Sequence, residues 1–566
     1  MSMCVNEVYQ EWILQTKRLD VIDPDIINEL EEMKDDDEKK NDSFYKCLSF
    51  GTGGLRGVIG AGTNRMNVYT VAQASQGLAD YINNKYQNGT VAISYDSRIK
   101  SDVFAKIAAE VFAANKIKVY MYSELMPTPC LSFAVRKLAC SVGVMITASH
   151  NPSEYNGYKV YGADGCQITS KAANEIAGEI KKINMFQDIK REDFSQAMAK
   201  GMIDYIPEGV YDDFIEAVKK ESLLGDICID KKRSIIYSPL NGTGLKPVLR
   251  ALKESGFENV IVVKEQELPD GKFPTCPYPN PENKDAMLLG IEYAKENDAD
   301  IFLATDPDCD RVGVAIKNEN GEYTILSGNE TGLLLLDYIC SRRAALANMP
   351  DMPIAIKTIV TSDLSERIAA HYGVHMKNVL TGFKYIGEQL CLLEKQGKQA
   401  SYIFGLEESC GYLSGAYVRD KDGVGAAFLI CEMYAFYASK GYTLWEKLNE
   451  IYRSFGYEYS ELCSYKFPGE KGFAKMQELM DKFREGLPEI GGRYVERQID
   501  YLSGIDDLPK SNVLKYFLEG NCSVTIRPSG TEPKLKVYLF VSGESYRTAK
   551  QIAEELKEDL EKFIII

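Results

Sequence analysis

The stretch Val91-Ala-Ile-Ser-Tyr-Asp-Ser-Arg98 decides the fold class. It is a short β-branched run that ends in polar residues, and a helical pattern follows it. The apolar face of that helix consists of Val103, Phe104, Ile107, Ala108, Val111 and Phe112. A short buried strand that is closed by polar residues and followed by a helix is the repeating unit of a parallel α/β sheet.

The same unit recurs along the chain. Further strands are predicted at Val142–Ile146, Ile235–Tyr237, Ile301–Ala304 and Ile354–Ile356. This spacing predicts three similar α/β domains with mixed or parallel sheets. The last stretch pairs two strands with a long amphipathic helix, which predicts a smaller C-terminal α+β domain. The predicted domains span residues 1–225, 226–330, 331–455 and 456–566.

Composition excludes several classes of function. The 566 residues carry 66 Lys+Arg against 82 Asp+Glu, so the net charge of −16 disfavours nucleic acid and anionic membranes as partners. We find no apolar run long enough to span a bilayer and no secretory signal, and the 14 Cys form no CxxC pair. We therefore expect a cytoplasmic protein with reduced thiols. Only three His are present, which disfavours a multi-His zinc site.

The first of four polar loops is Thr147-Ala-Ser-His-Asn-Pro152, which directly follows a predicted strand. Ser149, with His150 beside it and Lys159 ten residues on, has the composition of a nucleophile with charged helpers. A helix cap formed by Ser or Asn before Pro explains the same residues. The loop alone slightly favours the cap.

The second loop is Asp306-Pro-Asp-Cys-Asp-Arg311, again directly after a strand. Three carboxylates at alternating positions concentrate negative charge, which is costly unless a cation binds there. Oxygen ligands alone favour Mg²⁺, and the spacing is not that of an EF-hand. An ordinary acidic turn is the alternative.

The third loop is Gly405-Leu-Glu-Glu-Ser-Cys-Gly411. Glu407 and Ser409 have the groups needed to bind sugar hydroxyls, although a solvated acidic turn is equally compatible with the segment. Five residues outside the loop are candidates for further substrate contacts: Thr381, Gly382 and Lys384 upstream of it, and Arg419 and Lys421 downstream.

The fourth loop is Arg527-Pro-Ser-Gly-Thr-Glu-Pro-Lys534. Hydroxyls, a glycine that permits close amide approach, and flanking cations predict a phosphate-binding loop. The predicted phosphate contacts are Arg527, Ser529, Gly530, Thr531 and Lys534. A turn between the flanking strands is the alternative, and the segment is not a Walker A loop.

The four loops in this order resemble those of the α-D-phosphohexomutase superfamily, which includes phosphoglucomutases and phosphomannomutases. The resemblance covers nearly the whole chain and includes Gly53-Gly-Leu-Arg-Gly57. The length and the Glu-Glu-Ser form of the third loop are similar to the phosphoglucomutase side, including its phosphopentomutase-related branch. The third loop lacks the His of bifunctional phosphomannomutase/phosphoglucomutases, which weakens the mannose interpretation.

The resemblance implies four domains around a central cleft and a role for each loop. Ser149 matches the phosphorylated serine, which would complete an Mg²⁺ site with Asp306, Asp308 and Asp310. Lys159 matches a general acid/base, and Arg56 and Arg311 match phosphoryl contacts. Glu407 and Ser409 match the sugar contacts, and the fourth loop matches the site for the phosphate that is not transferred.

The function implied is interconversion of α-D-glucose 1-phosphate and glucose 6-phosphate, with one Mg²⁺ per chain and glucose 1,6-bisphosphate as intermediate and activator. Small sugar phosphates are the expected partners, and the sequence leaves the oligomeric state open. The alternatives are a phosphopentomutase, a phosphomannomutase or a glucose 1,6-bisphosphate synthase. More distant are a sugar-phosphate sensor and an aspartyl phosphatase with Asp306 as its nucleophile.

Overall fold

The structure is a computed structural model that describes residues 5–17, 23–505, 508–529 and 534–564. These residues form four separate sheets, of six, five, four and six strands in chain order. In the described part of the chain, every helix is too short or too polar to cross a membrane.

The first sheet has the order β1-β5-β4-β2-β3-β6, in which β2 is parallel to β3 and β4. Its strands are β1 (Leu55–Val58), β2 (Thr90–Tyr95), β3 (Lys118–Met121), β4 (Val142–Ile146), β5 (Tyr155–Gly162) and β6 (Ile203–Tyr205). The helices of this part are α1 (Val5–Thr16), α2 (Asp25–Glu32), α3 (Asp37–Phe44), α4 (Val68–Lys85), α5 (Ser101–Ala114), α6 (Thr128–Lys137), α7 (Ser170–Ile180), α8 (Phe194–Ala199) and α9 (Glu208–Lys219). Helix α5 buries the predicted apolar face, with Phe104 and Val111 fully buried.

The second sheet has the order β11-β10-β9-β7-β8, in which β9, β7 and β8 are parallel and β10 is antiparallel to both β9 and β11. Its strands are β7 (Ile235–Ser238), β8 (Val260–Val262), β9 (Ile301–Thr305), β10 (Val312–Lys317) and β11 (Tyr323–Leu326). Its helices are α10 (Leu245–Glu254), α11 (Lys264–Glu267) and α12 (Lys284–Glu296). Strand β9 is completely buried, and the second polar loop leaves its carboxyl end.

The third sheet has the order β13-β12-β14-β15. Its strands are β12 (Ile354–Thr358), β13 (His375–Val379), β14 (Tyr402–Glu407) and β15 (Gly411–Leu413). Its helices are α13 (Gly328–Ala345), α14 (Leu364–His371), α15 (Phe383–Lys395), α16 (Gly423–Ser439) and α17 (Leu444–Phe455). The apolar stretch from Val424 to Ala438 forms α16, whose side chains are almost all buried.

The fourth sheet is antiparallel throughout, with the order β16-β21-β20-β19-β18-β17. Its strands are β16 (Tyr457–Lys466), β17 (Glu489–Ile490), β18 (Arg493–Asp500), β19 (Leu514–Leu518), β20 (Cys522–Pro528) and β21 (Lys534–Gly543). Two helices pack on it, α18 (Gly469–Arg484) and α19 (Tyr546–Ile564). The fold class predicted from the sequence, three α/β domains and an α+β domain, is confirmed.

The predicted domain limits stay predictions, and two helices bear on them. Helix α13 already begins at Gly328, before the limit at residue 331. Helix α9, assigned by sequence to the first domain, packs its apolar face into the core that also contains Val248 and Ala427. The first domain is therefore joined to the next two by a shared apolar core.

Candidate active site

The first polar loop presents Ser149 at the end of β4. Its Oγ donates a hydrogen bond of 2.9 Å to Asp306 Oδ2 and lies 3.2 Å from Nδ1 of His150. The serine has φ 54°, a left-handed conformation that is uncommon outside glycine and found often at functional sites. Its N–H donates to Oγ1 of Thr147 at 2.7 Å, which holds this turn. The loop thus directs the serine hydroxyl towards the second loop.

Arg98, at the end of the stretch that follows β2, holds the serine loop in place. Its fully buried guanidinium donates to four backbone carbonyls, those of Ser149, Asn151, Pro152 and Tyr155. Its Nε lies 3.5 Å from Asp96 Oδ2, so the buried positive charge is balanced. The backbone around Ser149 is therefore fixed by one side chain.

The second loop places three buried carboxylates beside Ser149. Asp306, Asp308 and Asp310 each have an oxygen within 4.8 Å of the others. Asp306 Oδ1 accepts the N–H groups of Asp310 at 3.1 Å and Arg311 at 3.0 Å. Asp308 Oδ1 and Asp310 Oδ1 are buried and have no hydrogen-bond partner among the described residues. Such oxygens are rare unless an ion binds them, so this trio could hold a metal ion.

The metal-binding candidate loop lies where three sheets meet. Thr128, from the first domain, donates its N–H to the Asp308 carbonyl at 2.9 Å and its hydroxyl to Oδ2 at 2.8 Å. Cys309, with φ 49°, accepts the N–H of Gly423 from the third domain at 3.1 Å. A Cβ at Gly423 would lie 2.6 Å from that carbonyl oxygen, so only glycine permits this approach.

Two lysines from different domains neutralise the trio. Lys159 Nζ lies 2.7 Å from Asp308 Oδ2 and 3.5 Å from Asp310 Oδ2, and Lys421 Nζ lies 3.1 Å from the latter oxygen. Burial disfavours the charge on Lys159, but Asp308 and Asp310 outweigh it and raise its pKa. The lysine is therefore an ammonium group in this state of the protein.

Two predicted arginines lie at the rim of the same site. Arg311 pairs with Glu282 at 3.0 Å and follows the carboxylate trio directly. Arg56, on β1, donates to Oδ1 of Asn151 at 2.8 Å and is exposed. The Arg56 guanidinium thus contacts the serine loop, and the Arg311 guanidinium lies beside the carboxylate loop and is held by Glu282.

The pKa shifts of the site follow its burial. Burial, and then the two neighbouring carboxylates, raise the pKa of Asp306 well above its usual value. Burial also tends to raise the pKa of Asp308, but the ion pair and the hydrogen bond with Lys159 outweigh it, and the pKa of Asp308 is lowered. Burial, then Arg311 and Arg56, hold the pKa of His150 well below its usual value, so this imidazole is neutral at pH 7.

The third loop carries two buried acids at the end of β14. Burial raises the pKa of Glu407, against the opposing charges of Lys421 and Arg311. Burial, and then Glu407, raise the pKa of Glu408 to about 8. Ser409 is half-buried beside them. This loop is attached to the metal-binding candidate loop at the residue after Arg311, since Val312 N–H donates to the carbonyl of Cys410 at 3.1 Å.

The other candidates of the third domain divide between the site and the domain junction. Oγ1 of Thr381 is buried without a hydrogen-bond partner among the described residues, and Gly382, with φ 115°, precedes α15. Lys384 lines a separate crevice. Arg419 is fully buried and pairs with Glu394 at 2.7 Å, so its guanidinium is engaged away from the carboxylate trio. Substrate contacts by these four residues stay predictions.

The fourth loop lies between β20 and β21. Arg527 donates to the Tyr538 hydroxyl at 3.3 Å, and the N–H of Ser529 donates to the carbonyl of Lys534 at 2.8 Å. Two predicted members fall outside the described residues, Gly530 and Thr531. A cavity of about 860 Å³ is lined by Glu282, Glu408 and Tyr538, and so connects the second, third and fourth domains.

Two residues with clear roles in the geometry were not predicted as site residues from the sequence. Arg98 positions the serine loop, and Thr128 binds Asp308 from the first residue of α6. Arg98 lies at the carboxyl end of a parallel strand, where ligand-binding residues of such sheets collect. Thr128 follows a short strand in the same way. Their position after the carboxyl end of a strand was the sequence feature that could have identified both residues.

The phosphoglucomutase/phosphomannomutase family matches the chain in four consecutive segments. Its α/β/α domains I, II and III match residues 48–186, 212–321 and 327–455, and its C-terminal domain matches residues 469–559. Each segment contains one of the four polar loops, and the matched order is the order of the loops along the chain.

Named relatives cover nearly the whole chain. A phosphoglucomutase of Staphylococcus haemolyticus is 36% identical over 521 residues, which is 90% of this chain and 93% of that protein. One of Staphylococcus epidermidis is 35% identical over 547 residues, 94% and 97% of the two chains. The open form of the Paramecium phosphoglucomutase pp63/parafusin shares the fold, with a TM-score of 0.68 and 18% identity over 92% of this chain and 96% of that one. The chain belongs to the phosphoglucomutase/phosphomannomutase family of isomerases.

Proposed function

We propose that the chain interconverts α-D-glucose 1-phosphate and glucose 6-phosphate by way of a phosphorylated Ser149. The 2.9 Å hydrogen bond between Ser149 Oγ and Asp306 carries this proposal, because it sets the one candidate nucleophile against the carboxylate trio. The names of the staphylococcal relatives support glucose as the sugar. The cytoplasmic location stays a prediction.

The metal we propose is Mg²⁺, held by Asp306, Asp308 and Asp310 together with an oxygen of phosphorylated Ser149. All of these donors are oxygens, and two of the carboxylate oxygens have no other partner among the described residues. Bound Mg²⁺ would neutralise charge on the phosphoryl group that is transferred. The chain supplies the remaining positive charge through Lys159, from the first domain, and Lys421, from the third.

The reaction consists of two phosphoryl transfers. The free hydroxyl of the sugar phosphate attacks the phosphorus on Ser149, a P–O bond forms to the sugar, and the bond to Oγ breaks. The product is glucose 1,6-bisphosphate. After this intermediate turns over in the cleft, Ser149 Oγ attacks the phosphorus at C1, a P–O bond forms to Oγ, the bond to the sugar oxygen breaks, and glucose 6-phosphate leaves. The net result is a moved phosphate with no change in the number of phosphoryl groups on the protein.

Proton transfer falls to groups beside Ser149. Lys159 is the candidate acid/base for the sugar hydroxyl, since it lies within the carboxylate trio and is only 6% exposed. His150 is neutral and lies 3.2 Å from Ser149 Oγ, so its Nδ1 can accept the serine proton when Oγ attacks. His150 can thus accept a proton directly, whereas Lys159 is an ammonium group in this state and must lose its proton before it acts as a base.

The parts of the substrate that do not react bind to the third and fourth loops. Glu407 and Ser409 would accept and donate hydrogen bonds to the sugar hydroxyls. Arg527, Ser529 and Lys534 would bind the phosphate that is not transferred. The two loops face the same side of the molecule, since Glu408 and Tyr538, the hydrogen-bond partner of Arg527, line one cavity.

Replacement of the serine tests the proposal. Ser149→Ala should lose turnover by about 10⁴-fold or more, because the variant lacks the oxygen that carries the phosphoryl group in the proposed reaction. Ser153→Ala, on the same loop, is the matched control and should retain turnover. Comparison of kcat/KM for glucose, mannose, ribose and deoxyribose 1-phosphates identifies the sugar. Near-normal turnover by Ser149→Ala, or release of inorganic phosphate in place of an isomer, would refute the mutase mechanism.

A further inference from the structure

Two thiols meet at the junction between the first and third domains. Cys166 follows β5, and Cys391 lies on α15, 225 residues later in the chain. Their sulfur atoms are 3.3 Å apart, and each residue is about 5% exposed. Neither thiol belongs to a loop of the proposed active site. The contact therefore joins two domains through residues that the mutase reaction does not use.

The surroundings of the pair favour a thiolate on Cys391. Its hydrogen bond with Cys166 lowers its pKa, burial and the Asp164 carboxylate oppose this, and the Arg419 guanidinium adds to the lowering. Cys166 and Cys391 both line a crevice of about 410 Å³, together with Lys384 and Lys395. A small oxidant can reach the sulfurs from this crevice, and the nearby cations stabilise a thiolate.

We propose that Cys166 and Cys391 form an oxidation site that crosslinks the first domain to the third. The oxidant is a hydroperoxide. The Cys391 thiolate attacks a peroxide oxygen, the O–O bond breaks, and a sulfenic acid and an alcohol result, or water when hydrogen peroxide reacts. Cys166 sulfur then attacks the Cys391 sulfur, the S–S bond forms, and water leaves. The two sulfurs lose two electrons, and the hydroperoxide gains them.

A bound cation is the competing use of this site. Asp164 has a carboxylate oxygen within 4.8 Å of both sulfurs, which makes a three-ligand cluster. Zn²⁺ binds such a set when the local charge permits. The Asp164 carboxylate raises the pKa of both thiols and the Arg419 guanidinium lowers it, so these two charges oppose each other. The crosslink is favoured by geometry, since the two sulfurs are in direct contact at 3.3 Å.

The crosslink would brace a junction that adjoins the active site. Glu394, on the same helix as Cys391, pairs with Arg136 of the first domain at 2.9 Å and with Arg419. The residue after Arg419 accepts a hydrogen bond of 2.9 Å from the hydroxyl of Tyr161, on β5. Because the disulfide would close a loop of more than two hundred residues, it should stabilise the folded chain.

The test is mass spectrometry of the intact full-length protein after treatment with hydrogen peroxide. The starting protein is the double variant Cys47→Ser/Cys228→Ser, which lacks two exposed thiols. We expect non-reducing digestion to yield the Cys166 and Cys391 peptides as one species that has lost two hydrogens, and dithiothreitol to separate them. The melting temperature should rise by several degrees on oxidation and return on reduction.

Matched variants complete the design. Adding Cys166→Ser or Cys391→Ser should abolish both the linked species and the rise in melting temperature. Two results would overturn the proposal: peroxide treatment that leaves these two peptides unlinked, or protein as purified that retains stoichiometric Zn²⁺ and whose two thiols resist alkylation until a chelator is added. A linked species with an unchanged melting temperature would refute the bracing role.

Discussion

Replacing Arg98 should uncouple the serine loop from the carboxylate trio. Its guanidinium binds four carbonyls of the segment that carries Ser149 and balances Asp96. Lysine keeps the positive charge, but its single ammonium nitrogen replaces the planar guanidinium group and its several N–H donors. Arg98→Lys should therefore preserve the fold and release part of the loop.

The magnitude follows from the contacts. Loss of a buried partner of a charged group costs about 3–5 kcal/mol, and Arg98→Ala should approach this value. Arg98→Lys should cost about half as much, since the charge beside Asp96 remains. A displacement of about 1 Å at a reacting group lowers turnover by about 100-fold, so we expect kcat of Arg98→Lys to fall by that order. KM should change little, because Arg98 has no contact with the proposed substrate loops.

Steady-state kinetics and thermal unfolding measure the two effects separately. The matched control is Arg191→Lys, a partly exposed arginine that pairs with Glu110 in the same domain. It should change stability by less than about 0.5 kcal/mol and leave kcat unchanged. An Arg98→Lys protein with normal kcat would show that the clamp does not position Ser149. A fall confined to KM would refute the positioning argument as well.

Two further predictions concern the site, and a third concerns Glu458, a buried acid on β16. Dialysis against a chelator should abolish turnover, and added Mg²⁺ should restore it. Added Mg²⁺ should not restore turnover to the Asp308→Asn variant. Full activity in the metal-free protein would contradict the assigned ligands. Lys159→Met should lower kcat by about 10²–10⁴-fold, whereas Lys137→Met on the surface should not; equal kcat values would remove Lys159 as the acid/base. Burial raises the pKa of Glu458 to about 7, so the folded state binds its proton more tightly than the unfolded state and stability should fall as pH rises from about 4.5 to 7. Denaturant titrations at several pH values give the free energy of unfolding as a function of pH. Between pH 4.5 and 7 this free energy should fall less steeply in Glu458→Gln, by up to about 1.4 kcal/mol per pH unit, and identical slopes in the two proteins would contradict the raised pKa.

Local patterns were sufficient to predict the fold class and the elements that carry the loops. The β-branched run at residue 91 forms β2, and the polar residues that close β4, β9 and β14 lie at strand ends as expected. This part succeeded because each signal, a short apolar run followed by a helical period, lies within one βα unit. The three Asp were a metal-site candidate from their own loop, whereas the role of Ser149 came from the family resemblance, and both assignments stay predictions.

Contacts between distant segments could not be read in this way. Arg98 donates hydrogen bonds to carbonyls that lie 51 to 57 residues further along the chain, and the sequence around Arg98 does not indicate which residues these are. Arg419 was predicted as a substrate contact because it is a cation near a sugar-binding loop. Its burial against Glu394 depends on how two domains dock. The substrate contact of Arg419 stays a prediction.

The most direct test of the central claim follows the phosphoryl group itself. Protein carrying radiolabelled phosphate on Ser149 is mixed with excess unlabelled glucose 1-phosphate, and the products are separated after a single turnover. We predict that the label leaves the serine and appears in glucose 1,6-bisphosphate and then in glucose 6-phosphate. Label that stays on the protein while glucose 6-phosphate forms, or that appears as inorganic phosphate, would contradict the account.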